Sequence, residues 1–179
     1  MALKVHCSAV RMLLKNESDT MNFFEHSKIL VPIDFSDQSQ NAVQTAVQIS
    51  GANENVFVLH VVDPAQLYGL DDNGGYELGG GMGAAMFNWE VAAQIDADHE
   101  ATAMNTMKQT FAGDAFAGVQ FGTIVDTPAE GINRFAAEHS IDLIVLPSHG
   151  RSGVKRLLLG SVAEHVVRAA HCPVLILRT

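Results

Sequence analysis

The chain has 179 residues, 47% of them hydrophobic and 17% charged, with 20 acidic against 11 basic side chains and a formal charge of -9. Length and apolar content suit one domain with a real core, burying roughly 70% of the surface an extended chain exposes. The acidic balance argues against a duplex nucleic acid or an anionic membrane as partner, and no apolar run reaches the length of a membrane span.

The leader MALKVHCSAVRMLLKNESDT carries Lys4 and Arg11 within its apolar residues, so no clean signal-peptide core forms. Residues 1–27 read as a flexible extension and 28–179 as a single domain; Met21 offers an alternative start. The two cysteines, Cys7 and Cys172, make no disulfide framework and point to a reduced, cytoplasmic compartment. Cys172 reads as a small apolar residue near the core, with redox sensing the minor alternative.

KILVPIDFS, from Lys28 to Ser36, is a nearly continuous apolar run of the kind found in central parallel strands. Ser36 offers an N-cap to a helix whose Ala42, Val43, Ala46, Val47 and Ser50 share one side and which stops at Gly51. NVFVLHVVD, Asn55 to Asp63, is a second strand of the same type. The glycine-rich stretch from Pro64 to about residue 88 reads as a long insertion, either plain or able to lie over a site at the strand ends.

Helical spacing resumes from Trp89 to Phe111, with Ala93, Ala97, Ala101, Met104 and Phe111 predicted on the buried stripe. VQFGTIV alternates as a strand facing two environments. Thr127, Pro128 and Glu130 are a cap, a first-turn proline and an acidic third residue, and open a helix that carries Ile132, Phe135 and Ala136. IDLIVLP from Ile141 is the next strand. SVAEHVVRAAH reads as a helix with a capping box in Ser161 and Glu164, and PVLILR closes the chain as a fifth strand.

Strands alternating with helices predict an open, five-stranded parallel sheet with helices on both faces, a Rossmann-like α/β fold. Ligands of such sheets gather beyond the carboxyl ends of the strands, here the loops after Ile33, Val62 and Leu146. The first strand runs into DFSDQS and not G-x-G-x-x-G, and GVKRLLLGS lacks the P-loop spacing, so a standard dehydrogenase or P-loop enzyme is disfavoured. PSHGRSGVKRLLLGS, Pro147 to Ser161, still leads through Gly150 and Gly160 to a helix start. Exposed first-turn amides and a hydroxyl suit a phosphate there, and a glycine-punctuated structural loop is the other reading. No elbow motif, H-E-x-x-H or other catalytic constellation occurs among the eight histidines.

ILVPIDFSD, LHVVD and the terminal PSHGRSGVKRLLLGSVAEHVVRAAHCPVLIL, in this order and spacing, resemble the universal stress protein family over about Lys28 to Thr179. The family's nucleotide-binding pattern is G-x-x-G, nine residues, then G-[ST]. Pro147 stands at its first glycine, Gly150 at the second, and Gly160 with Ser161 completes it.

The resemblance implies ATP with magnesium or manganese. It places Asp34 near the ribose, Pro32 and Ile33 beside adenine, and Val61 against adenine through its backbone. His149, Gly150, Arg151, Gly160, Ser161 and Val162 would surround the phosphates, with Leu146 and Pro147 in the same set. It further implies a homodimer through the final strand, Val174 to Leu177, and a nucleotide-dependent regulator of a protein partner the sequence does not name. Each residue keeps a plainer role: Asp34 as a helix-start cap, His149 as a loop pin, Arg151, Lys155 and Arg156 as a solvated basic face. Two other readings stand beside ATP binding: an interaction module whose nucleotide site Pro147 has closed, and a slow ATPase in which Asp34 or His149 orients water.

Overall fold

The computed structural model describes residues 24, 26–64, 89–148 and 159–178. In chain order the elements are β1 (Ile29–Pro32), α1 (Asp37–Ser50), β2 (Val56–Val62), α2 (Trp89–Thr110), β3 (Gln120–Val125), α3 (Pro128–Glu138), β4 (Leu143–Pro147), α4 (Ser161–Ala169) and β5 (Val174–Leu177). Single 3-10 turns at Asn53–Asn55 and Asp114–Phe116 lead into β2 and β3. The five strands form one parallel sheet in the order β3-β2-β1-β4-β5. The leader and the glycine-rich insertion from residue 65 onward lie outside the described residues.

All of β1 is buried because helices cover both faces, which is why its sequence is continuously apolar and not alternating. Side chains still divide by the two-residue period of a strand. Ile29, Val31, Ile33, Val56, Val58, Leu143 and Val145 pack against Val43 of α1 and Met107 of α2. Leu30, Leu59, Ile144 and Leu146 meet Ile132 of α3 and Val166 of α4 on the opposite face. Cys172 is half-buried against this second cluster, and burial pushes its thiol above the ordinary range. A thiol held protonated in this way is a poor nucleophile, in keeping with the packing role read from the sequence.

The predicted helix starts lie where expected, but only the first is capped by the predicted side chain. Ser36, in extended conformation, accepts the Ser39 amide at 3.3 Å, and Gly51 ends α1 at φ 72, the left-handed region open to a residue without Cβ. Thr127 stands at the N-cap of α3 with Pro128 in the first turn, but its side chain bonds no first-turn amide; its hydroxyl donates instead to Glu130 Oε2 at 2.7 Å, and its own amide donates to Asp126 Oδ1. For α4 the predicted capping box of Ser161 and Glu164 does not form. Gly160 is the N-cap, its carbonyl accepts the Glu164 amide at 2.9 Å, and Ser161 is already helical. Glu164 instead receives Arg168 one turn on, at 2.7 Å, because the four-residue spacing brings opposite charges together on the helix surface.

The buried stripe of α2 also differs. Ala103, Met107 and Phe111 are buried, with Met104 packed beside them, while Ala93, Ala97 and Ala101 are exposed. Each step of four residues drifts about 40° around a helix of 3.6 residues per turn. The large methionine and phenylalanine set the rotation, and alanines bring too little apolar area to compete. Phe111 lies parallel to Phe121 of β3, ring centroids 6.0 Å apart, which fastens α2 to the sheet edge.

Candidate functional site

The chain leaves β1 toward β2 on one side and β4 toward β5 on the other, so the strand order reverses between β1 and β4. Such a reversal leaves a crevice beyond the carboxyl ends of the two strands. A cavity of about 840 Å³ opens there. Its walls are the ends of β1 (Pro32, Ile33, Asp34, Phe35) and β2 (His60, Val61, Val62, Asp63), the end of β4 (Leu146, Pro147, Ser148), and the start of α4 (Gly160, Ser161, Val162, Ala163). Ser39 of α1, Pro128 and Ile132 of α3, and His99, Thr102, Ala103 and Thr106 of α2 complete the lining.

Asp34 organises the turn out of β1. Its Oδ1 accepts the Ser36 amide at 3.0 Å and the Ser36 hydroxyl at 2.5 Å, and Ser36 in turn caps α1. The helix-start cap is therefore Ser36, with Asp34 one link behind it. Ile33 continues the β1 ladder by donating its amide to Leu59 at 2.8 Å, and His60 Nδ1 lies 2.9 Å from the Ile33 carbonyl. A carbonyl only accepts, so that nitrogen carries the ring proton.

Pro147 ends β4 opposite Leu177. Along β4 the amides alternate: Leu143 donates toward β1, to Lys28, whereas Ile144 and Ser148 donate toward β5, to Pro173 and Leu177. The donor that proline removes would point to the β1 side, beyond the last paired residues Leu30 and Ile144, and so into the crevice. The strand itself loses nothing by the substitution. Ser148 then accepts the Gly160 amide at 3.0 Å, so the end of β4 and the start of α4 meet at the cavity edge.

At α4 the first-turn amides of Ser161, Val162 and Ala163 have no earlier helical carbonyl to reach, and Gly160 supplies no side-chain cap. Helix N-termini in this condition favour an anion. Near them α3 packs closely on the sheet at Gly131, where a Cβ would stand 2.9 Å from Asp126 Cβ and 3.1 Å from Val61 Cγ1. Glycine is what lets the α3 N-terminus, with Pro128 and Ile132, reach the cavity.

Of the residues singled out in the sequence, Pro32, Ile33, Asp34, Val61, Leu146, Pro147, Gly160, Ser161 and Val162 line this one cavity. His149, Gly150 and Arg151, with Lys155 and Arg156, lie outside the described residues. The lining adds Phe35, His60, Asp63 and the polar face of α2. His60 was visible as the one polar residue inside VFVLHVV. His99, Thr102 and Thr106 recur at helical spacing, and the Thr102 and Thr106 hydroxyls are turned back onto the carbonyls of Asp98 and Thr102, each at 2.8 Å. Among the described residues no group of three or more histidine, cysteine, aspartate or glutamate side chains is placed to hold a metal. None of the described helices is long and apolar enough to cross a membrane.

Fold and site together define an open parallel α/β protein with a ligand-sized cavity at its topological switch point. The universal stress protein family model matches residues 25–178, and the chain belongs to that family. It is 31% identical over 154 residues to universal stress protein MJ0531 of Methanocaldococcus jannaschii, covering 86% of this chain and 82% of that protein. With universal stress protein YxiE of Bacillus subtilis it shares 32% identity over 155 residues, 85% of this chain and 99% of the relative. Among solved structures, that of the M. jannaschii protein MJ0577 superposes with a TM-score of 0.62 at 27% identity, over 86% of this chain and 96% of that one. Universal stress protein UspA from Lactobacillus plantarum gives 0.59 at 27% identity, over 86% and 99%.

Proposed function

We propose that this protein binds ATP, with magnesium or manganese, and acts as a nucleotide-dependent regulator in the stress response and not as a metabolic catalyst. The observation that carries the reading is the convergence of the β1, β2 and β4 ends on one cavity with the uncapped N-terminus of α4. The residues suit the parts of the ligand. Ile33, Val61, Ile132 and Leu146 offer apolar wall for a base, Asp34 brings a carboxylate for ribose hydroxyls, and the first turn of α4 offers amides to phosphate oxygens. The cavity volume falls in the range of small-molecule sites, roughly 300–1,000 Å³. With no three-ligand group among the described residues, the divalent ion would be carried mainly by phosphate oxygens and water.

Pro147 favours a second reading, the interaction module, because the amide it removes is the one aimed into the crevice. Calorimetric titration of Mg-ATP into nucleotide-stripped protein separates the two. Saturable binding near one site per chain is expected; silence in calorimetry and in a thermal-shift assay together would replace the nucleotide reading with the module. Phosphate release that disappears on Asp34→Asn would add slow hydrolysis to the first.

The same reading includes a homodimer through β5. That strand is a sheet edge, and Val174, Leu175, Ile176 and Leu177 are all partly exposed, an apolar edge that monomers ordinarily cover or charge. Sedimentation velocity should give a dimer that Ile176→Lys converts to monomer. A wild-type monomer at tens of micromolar, roughly the range of weak association, would remove the dimer from the reading.

A further inference from the structure

Phe35 adopts φ 64, left-handed backbone in a bulky aromatic residue at the lip of the cavity. Side chains with a Cβ rarely take this region, and they persist there only where the surroundings over-determine the conformation. Among the described residues, two other non-glycine residues share a positive φ, His26 and Ser140, and both precede strands, at the amino end of the sheet and not the carboxyl end where the cavity lies.

Contacts with β2 hold Phe35 in this conformation. Its ring packs on that of His60, centroids 4.6 Å apart and planes tilted by 46°. His60 Nδ1–H donates to the Ile33 carbonyl at 2.9 Å, two residues before Phe35, while the Ile33 amide is held by Leu59. Both backbone groups of Ile33 are thus fastened to β2, and the ring that fastens one of them also bears on Phe35. Asp34 lies between these two anchored residues, its Oδ1 taken by the amide and hydroxyl of Ser36.

We propose that His60 is a positioning residue: through the Ile33 carbonyl and the Phe35 ring it locks the left-handed turn that aims Asp34 at the cavity. His60 here acts on the ligand only through its neighbours. The turn geometry is a property of the free protein, whereas its consequence for affinity rests on the nucleotide reading above.

The test uses the full chain and three variants. His60→Phe keeps a ring and loses the donor; His60→Asn keeps an N–H near the Nδ1 position and loses the ring; Phe35→Gly accepts φ 64 and removes the ring contact. By amide hydrogen exchange, Ser36 protection is expected to fall at least about tenfold in His60→Phe and Phe35→Gly, with Ala46 in the middle of α1 unchanged. Mg-ATP binding is expected to weaken about tenfold in the same two variants and to recover part of that loss in His60→Asn. Wild-type protection at Ser36 in both His60→Phe and Phe35→Gly overturns the proposal, and so does wild-type Mg-ATP affinity in both. If the unaltered protein ignores Mg-ATP, the nucleotide reading falls, and Ser36 exchange alone decides the lock. Should the variants fail to fold, nitrogen NMR of His60 in the unaltered protein decides it: a ring protonated on Nε2 alone overturns the assignment.

Discussion

Gly160→Leu is expected to lower Mg-ATP affinity by about 100-fold or more, equivalent to about 2.7 kcal/mol, while the protein stays folded. The backbone tolerates the change: Gly160 sits at φ -61 and ψ 151, extended geometry that any residue adopts, so no left-handed strain is created. Leucine is a poorer N-cap than glycine, a penalty of about 1 kcal/mol that thermal unfolding would register as a small shift. The large effect is at the cavity. Gly160 is a lining residue immediately ahead of the amides of Ser161, Val162 and Ala163, beside the place where an anion would meet them. A four-carbon side chain there occupies the approach. Calorimetry on the variant beside a thermal melt reads both quantities, and unchanged affinity in a folded variant would sink the α4 N-terminus as the phosphate site.

How far this site could be read in advance depended on the physical signal each residue leaves in one dimension. The ends of β1, β2 and β4 were legible because buried parallel strands write continuous apolar runs, and the rule locating ligands at their carboxyl ends then names the loops. Phe35 was not legible. A left-handed turn is ordinarily announced by glycine, and here an aromatic residue occupies it, held by His60 across the strand gap. His60 itself broke the apolar pattern of β2, but a lone histidine in a strand reads equally well as a core residue.

The α2 wall escaped for a different reason. Where a helix lies over a sheet depends on the connection that delivers it, and the stretch from Pro64 to residue 88 has no pattern from which that path follows. The alanine spacing then suggested a buried stripe at Ala93, Ala97 and Ala101, which the structure exposes in favour of Ala103, Met107 and Phe111. At α4 the sequence reading put the cap on Ser161, paired with Glu164. The structure puts Gly160 at the N-cap position, where it has no side chain to offer the first-turn amides, and Ser161 is already helical. The Ser161 hydroxyl is therefore not engaged as the helix cap.

The largest loss of stability is expected from Ile144→Ala. Ile144 is fully buried in β4, opposite Leu30 of β1 on one side and Val174 of β5 on the other, and belongs to the cluster with Ile132, Ala136, Ala163 and Val166. Deleting its outer carbons leaves a cavity between the sheet and two helices that cannot collapse without moving β4, so the cost should fall at about 3–4 kcal/mol. Against a total stability of roughly 5–15 kcal/mol this is a large fraction. At a slope of about 2 kcal/mol per molar urea it moves the midpoint down by about 1.5–2 M with the slope unchanged. Val174→Ala, in register with Ile144 but on the partly exposed edge strand, should cost only about 1 kcal/mol in the monomer. The ratio of the two tests the strand order, since a central and an edge position separate only if β4 is flanked and β5 is not. If the Val174 cost instead approaches that of Ile144 and grows with protein concentration, β5 is covered in solution, and a second copy of the chain completes the sheet edge.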